Sequence, residues 1–597
     1  MPHLVPTRRS RLLAQILTLP LFLAALSVPS HAADDLPLLS EITNRHQLVH
    51  EQVAPAVVAV QARGGKSGSG LYGTGVVVSP DGLILTSSTV VPNANHTVQV
   101  FFPDGRVMDA KVLGIDDATE ACALKVVYEE GEKKHSLPYV EIADSSKVAV
   151  GELAYTAGNP FHTISRDGQV AWSVGTLSGV YKITSADDQS RYTGVALETD
   201  AAVNPGSDGG PLFDANGRLL GILSLCFCES RWLGTAVPVH LIKQALPTQL
   251  RNVPLLDPKT PVPARVDLTR QQMLPSSLVA KAVPDALRAA CRPASKAIVK
   301  LIVKRSDSGR DNGDRRVSLV RRLRQRPDCP VTGVVIEADG HIITSAFNIE
   351  GDVNSVEAVL SDGTTLPATV LGRHLGLDVA VLKIAHPKGE MLPCIPLATD
   401  PEPQIGRFIA VLGASEDGPV PTHTAGIISA LGRLDGTAVQ TDALTNYGNS
   451  GGPVIDLRGR LVGIASQVRT QSDWSQQNSG VGFFTLSDKI IASLPDLKAS
   501  RDIKAPARPF LGILADSNIE IRGVKLSQVL SGSAAAEAGL KPDDIILAVD
   551  GMDTHSWPQL VRVLKAHKPG DTIEIAYQRG NITARTKTTL TARRDVR

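Results

Sequence analysis

Three landmarks in this chain occur twice, and any fold it adopts has to accommodate that duplication. Gly82-Leu-Ile-Leu-Thr86-Ser87 returns 258 positions later as Gly340-His-Ile-Ile-Thr344-Ser345. Glu120-Ala-Cys-Ala-Leu-Lys125 returns at the same offset as Asp378-Val-Ala-Val-Leu-Lys383. A third landmark, Thr199-Asp-Ala-Ala-Val-Asn-Pro-Gly-Ser-Asp208-Gly-Gly-Pro211, comes back 242 positions on as Thr441-Asp-Ala-Leu-Thr-Asn-Tyr-Gly-Asn-Ser450-Gly-Gly-Pro453. Landmarks kept in order at nearly constant spacing mark a repeated structural unit. Each copy spans about 200 residues of short apolar or β-branched runs such as Gly75-Val-Val-Val78, Val98-Gln-Val-Phe101 and Leu219-Leu-Gly-Ile-Leu223. Gly, Asp, Asn and Pro punctuate them, so both copies read as mainly β.

The 597 residues exceed what one core can hold, since domains stop growing near about 250 residues. The spacing divides the chain into a signal peptide at 1–32, a first repeat at 40–248, a Pro-rich linker at 249–283, a second repeat at 284–497 and a smaller module at 505–594. Charge is balanced, 61 Lys+Arg against 60 Asp+Glu, so no global field favours nucleic acid. Arg8, Arg9 and Arg11 precede an apolar run from Leu12 to Leu26, and Ser30-His31-Ala32 offers small residues for cleavage after Ala32, with Ala33 as a near alternative. That is the pattern of a secretory signal, which implies export. The run is shorter than the ~20 residues of a membrane span, the alternative reading.

An oxidising compartment would let the six cysteines pair, and no connectivity is singled out. Cys226 and Cys228 form a CxC without companions at zinc-site spacing, and no cofactor motif is present, so neither metal nor cofactor is expected. A basic segment runs from Arg310 to Arg326 and is either a solvated loop or a docking element for an acidic protein surface or anionic lipid.

In the last module, Ser533-Ala-Ala-Ala-Glu-Ala-Gly539-Leu leads into Asp543-Asp-Ile-Ile-Leu-Ala-Val-Asp550-Gly551. A helical run at Trp557–Lys565 and a strand at Thr572–Tyr577 follow. This order resembles a PDZ domain. The resemblance implies that Phe510, Leu511, Gly512 and Ile513 form the loop that receives a peptide's terminal carboxylate while the peptide adds as a strand.

Asn449-Ser450-Gly-Gly-Pro453 is the pattern of a nucleophilic serine on a glycine-supported turn. With the Thr344 and Asp378 landmarks it makes both repeats resemble the trypsin-like domains of the HtrA/Deg family. That likeness implies two tandem chymotrypsin/trypsin-like double β-barrel domains followed by an α+β PDZ domain. Carried over residue by residue, it places Asp378 and Ser450 of the second repeat in the acid and nucleophile positions, with Gly448 and Ser450 as oxyanion donors. Phe347 stands where the family has its histidine. In the first repeat the matching positions hold Thr89, Glu120 and Asp208, and Ser207 lies one residue early. His96, His374 and His423 are the other histidines weighed as bases, and each reads better as a surface residue. Both triads are therefore incomplete. The expectation is an exported serine protease homologue that does not cut but binds peptides or unfolded exported proteins through its PDZ domain and protease-like clefts. An active HtrA-like protease and a second copy of the chain are further candidate partners, and nucleic acid is not. The alternative is an active endopeptidase in which a non-standard base serves Ser450.

Overall fold

A computed structural model describes residues 30–63, 71–128, 135–184, 192–224, 234–258, 276–305, 330–386, 389–414, 421–445, 447–466, 481–504, 507–515, 523–554 and 557–592. The signal segment before Ser30, the basic segment, Cys226, Cys228 and Cys329 lie outside the described residues. Cys122, Cys291 and Cys394 are unpaired thiols, the first two buried.

Six strands open the first repeat: β1 (Val57–Arg63), β2 (Leu71–Val77), β3 (Leu83–Ser87), β4 (Thr97–Phe101), β5 (Val107–Asp116) and β6 (Ala121–Val126). They close into a barrel in the order β1-β2-β3-β6-β5-β4. Closure removes every free sheet edge, and the interior fills with branched side chains such as Val58, Val60, Ile84 and Leu124. A second sheet, running from Leu153–Gly158 to Gly234–Pro238, closes in the same permuted order through pairing of Pro211–Asp214 with Leu219–Leu223. The second repeat builds the same pair of barrels, Ile298–Lys383 and Phe408–Leu486, each with that permutation. Each repeat thus carries the double β-barrel that the family resemblance implies, with the Thr86 and Thr344 landmarks on the N-terminal barrels and the Gly-Gly-Pro turns on the C-terminal ones.

The linker differs from the extended spacer expected over 249–283. Leu250 and Val253 are buried, and Leu255–Leu256 pairs in parallel with Ile142–Ala143. Arg218, 1% exposed, donates to the carbonyls of Asp257 and Pro258 at 3.4 and 3.5 Å. The start of the linker therefore forms an extra edge strand of the first repeat, with Pro254 before it and Pro258 after it. The second repeat is then entered through a helix at Ser276–Ala297.

The last module is a five-strand path from Ile513–Ala515 to Ile582–Thr589, with the helix Trp557–Lys565 as predicted. That helix also rests on the short helix Thr163–Asp167 of the first repeat.

The two repeats share a core. Ile405, Phe408 and Ile427 of the second repeat join the cluster built on the first. His46, on the helix Ser30–Val53, sits between Tyr155 and Phe408 with ring centroids 5.6 and 5.4 Å away, and its Nδ1 lies 3.3 Å from the Gly406 carbonyl. Trp172 stacks on Tyr155 at 4.6 Å and meets His50 edge-on at 5.5 Å. Burial pushes both imidazoles down to about 4, so they are neutral at pH 7.

Candidate functional site

In the second repeat, the segment after Thr344 turns into a short 3₁₀ helix, Ala346–Ile349, which brings Phe347 beside Asp378. Asp378 holds a left-handed backbone, φ 52°, at the entrance to its strand, and Glu120 holds the same conformation, φ 49°, in the first repeat. At Asp378 the carboxylate turns back to the preceding landmark. Asp378 Oδ1 accepts from the Phe347 amide at 3.0 Å, and Oδ2 accepts from the Ser345 hydroxyl at 2.7 Å. Both oxygens are thus bonded without an imidazole. Asn348 ties this segment to the nucleophile turn, its Nδ2 donating to the Ser450 carbonyl at 2.8 Å and to Thr344 Oγ1 at 2.9 Å.

Ser450 is buried, and among the described residues its hydroxyl has no hydrogen-bond partner. The turn that carries it, Tyr447–Asn449, is 3₁₀. Amides in that geometry bond three residues back along the chain rather than converging on an oxygen in the cleft. The Gly448 carbonyl accepts from the Thr332 hydroxyl, which in turn accepts from the Ala414 amide at 2.7 Å. So the structure gathers Phe347, Asp378, Gly448 and Ser450 into one cleft, with the Gly448 carbonyl tied to Thr332. Gly451 locks the turn from beneath. Its φ is +80°, and a Cβ there would lie 2.5 Å from the Thr332 carbonyl oxygen and 2.7 Å from the Ser345 amide, so no other residue fits.

In the first repeat, the Thr89 hydroxyl donates directly to the Asp208 carboxylate and lies 2.6 Å from the Ser87 hydroxyl. Glu120 accepts from the Ser224 hydroxyl at 3.1 Å. Of the three positions taken from the landmarks, Thr89 and Asp208 meet, but the group at the nucleophile position is an acceptor and the group at the base position is an alcohol. Neither side chain can activate the other. Ser207 faces away from this pair, lining a cavity at the junction of the two repeats with Asn204, Gln440 and Asp442.

None of the three other histidines approaches as a base. His423 lies on the strand Pro421–Gly432 rather than in a loop, paired opposite Leu412 and exposed. His374 accepts from the Leu377 amide at 3.2 Å, and the His96 amide closes a turn onto Asn93. Glu337, Asp339 and His341 bring ligand-type atoms within 4.8 Å of one another on an exposed hairpin, but Lys498 and Lys383 already pair with the two carboxylates.

Sequence reasoning missed three features: the Ser345 hydroxyl on Asp378, the 3₁₀ turn before Ser450, and the junction of the repeats. The last had a signal in Asp442. The Thr-Asp-Ala landmark repeats it, and in the fold it does more than mark register. Its Oδ1 accepts from Ile427 N at 2.7 Å, and its Oδ2 accepts across the junction from Ser173 Oγ at 3.0 Å and Val174 N at 3.2 Å.

In the PDZ-like module, Leu511 and Ile513 are buried in the core. Gly512 turns between them at φ +83°, its carbonyl accepting from Leu530 N at 2.9 Å. The strand Ile513–Ala515 pairs on one side with Val524–Val529 and ends the sheet path on the other, leaving an edge open to an added strand.

The family model described as a trypsin-like peptidase domain matches residues 73–222 and 331–464, and the PDZ domain model matches residues 497–590. The putative serine protease HhoA of Synechocystis sp. is 31% identical over 277 residues, covering 42% of this chain and 67% of the relative. The putative serine protease HhoB of the same organism is 30% identical over 274 residues, covering 42% of this chain and 63% of the relative. A probable periplasmic serine endoprotease, DegP-like, of Hahella chejuensis is 31% identical over 290 residues, covering 44% of this chain and 60% of the relative. The chain thus spans roughly three fifths to two thirds of the length of these curated relatives.

Proposed function

Because the chain belongs to the HtrA/Deg family of trypsin-like serine proteases bearing a PDZ domain, we propose that it is an exported member that binds peptides or unfolded proteins and does not cut them. One observation carries the reading: among the described residues the Ser450 hydroxyl has no partner, while both oxygens of Asp378 are bonded to Phe347 N and Ser345 Oγ. A serine without a base is a poor nucleophile at neutral pH. Thr89 and Asp208 bonded to each other support the same conclusion for the first repeat. The first-repeat turn borders a cavity lined by both repeats, and capture is assigned to the PDZ edge strand and the protease-like clefts. The apolar run after Arg8, Arg9 and Arg11 and the periplasmic naming of the relatives support export.

Capture by the PDZ module has a specific chemistry. The amides around Gly512 receive a carboxylate, and the edge strand Ile513–Ala515 pairs with the peptide backbone. Peptides ending in an apolar residue with a free carboxylate are expected to bind, and C-terminal amidation is expected to weaken binding about tenfold or more, the worth of one or two charge-assisted hydrogen bonds. Fluorescence anisotropy on the full chain measures this. Equal affinity for acid and amide would rule out carboxylate capture.

A further inference from the structure

The hairpin between the strands Val331–Glu337 and His341–Thr344 has a counterpart in the first repeat, and backbone bonds fix which residues correspond. Gly340 N bonds Glu337 O at 2.9 Å, as Gly82 N bonds Ser79 O at 3.1 Å. Leu392 N bonds Ala338 O as Leu137 N bonds Pro80 O, both at 2.9 Å, and Ile395 N bonds Val335 O as Val140 N bonds Val77 O, both at 3.0 Å. Glu337, His341 and Cys394 therefore stand where the first repeat has Ser79, Leu83 and Tyr139. The residues that shape the turn are kept, since Asp339, Gly340 and Lys383 match Asp81, Gly82 and Lys125, and each lysine pairs with the turn aspartate. The first repeat thus forms this hairpin with a serine, a leucine and a tyrosine, so the fold does not call for what the second repeat carries. All three differences around one turn run toward groups that hold metal ions.

The geometry converges. His341 Nδ1 lies 2.9 Å from Glu337 Oε2 and 2.8 Å from Asp339 Oδ1, and the three ligand-type atoms lie within 4.8 Å of one another. The lysines take the outer oxygens, Lys498 on Glu337 Oε1 and Lys383 on Asp339 Oδ2 at 2.9 Å, which fixes both carboxylates and leaves their inner oxygens facing the imidazole. Partners that orient ligands from outside in this way are a regular part of metal sites. Ligands about 2.0–2.2 Å from a tetrahedral zinc ion stand roughly 3.3 Å apart, so the trio opens by about 0.5 Å to admit one. Cys394 stands beside the trio on the neighbouring segment, a free thiol whose titration is pushed up by partial burial and then by the Glu337 and Asp339 carboxylates.

We propose that this hairpin binds a divalent transition-metal ion of the zinc class, held by Glu337, Asp339 and His341, with Cys394 supplying the fourth ligand. Nitrogen and sulfur ligands favour such an ion over calcium or magnesium, which take oxygen. The inference uses no residue of the Ser450 cleft, so it stands or falls separately from the proposed function.

Calorimetric titration of the metal-free full chain with zinc chloride tests it, beside Glu337→Ser, His341→Leu and Cys394→Tyr, each of which installs the residue that the first repeat carries. The native chain is expected to bind a zinc ion that excess calcium does not displace, and each variant is expected to bind it about tenfold or more weakly. Cobalt chloride in place of zinc is expected to give a thiolate-to-metal charge-transfer absorption that Cys394→Ser removes. No zinc binding by the native chain, binding that the three substitutions leave unchanged, displacement by calcium, or a cobalt band that survives Cys394→Ser would each overturn the proposal. Thermal melts check folding, and Glu337→Gln or His341→Gln replaces a variant at that position that melts early.

Discussion

Phe347→His is expected to switch on slow, Ser450-dependent hydrolysis of casein. The acid already lies in place, with the backbone amide of residue 347 bonded to Asp378 Oδ1 at 3.0 Å. A carboxylate oxygen accepts more than one bond, so an imidazole Nδ1–H can join Ser345 on Oδ2 while Nε2 turns toward the unpartnered Ser450 hydroxyl. Histidine is smaller than phenylalanine, so overpacking does not oppose it. Loss of a triad histidine costs on the order of 10⁶ in turnover, about 8 kcal/mol, and loss of one oxyanion donor costs on the order of 10² to 10³. Since the turn before Ser450 remains 3₁₀, the expected recovery is the quotient, about 10³ to 10⁴ over the native chain. Adding Ser450→Ala should erase all of it. A folded Phe347→His that stays silent would show that the closed turn, and not the missing base, is the dominant defect.

His46→Gln is expected to change how stability depends on pH. His46 is 2% exposed between Tyr155 and Phe408, and burial pushes its imidazole down to about 4. A histidine whose folded value lies below its unfolded value of about 6.5 contributes stability that is complete above 6.5 and is lost as pH falls toward 4. Between pH 7.5 and 4.5 that loss amounts to about 2.5 kcal/mol for one such group. His50 shares the sign. Asp214 and Asp442, both pushed up to about 6 by burial, have the opposite one: their contribution is complete below the ordinary carboxylate range and fades as pH rises through 6. The opposed groups flatten the native profile, so the variant has to be compared with the native chain at each pH. The difference in unfolding free energy between variant and native should move by about 2 to 3 kcal/mol in the variant's favour from pH 7.5 to pH 4.5. Denaturant unfolding at the two pH values measures it, and an unchanged difference would mean that the junction admits water to His46.

The barrels were legible because strand runs and turn residues recur in register, and a one-residue slip would turn every side chain to the wrong face. The site was legible wherever the backbone landmark determines position. Phe347 and Asp378 meet because each flanks one of two paired strands, and Thr89 meets Asp208 because it follows such a strand while the Gly-Gly-Pro turn carries its partner. What stayed hidden depends on side-chain and peptide orientation. Nothing in Ser345 as a residue type says that its hydroxyl takes the oxygen an imidazole would use, nor does Asn-Tyr-Gly-Asn-Ser indicate a 3₁₀ turn. The junction stayed hidden for another reason. Asp200 and Asp442 occupy identical landmarks, yet one is exposed while the other holds Ser173 and Val174, a difference set by which faces pack and not by local sequence.

The central claim, that this HtrA/Deg chain no longer cuts, is tested most directly by exposing the native protein to a fluorophosphonate probe beside Ser450→Ala. The predicted result is equal background labelling of the two, because the Ser450 hydroxyl has no base. Labelling of the native chain that disappears in Ser450→Ala would contradict it and identify Ser450 as a working nucleophile.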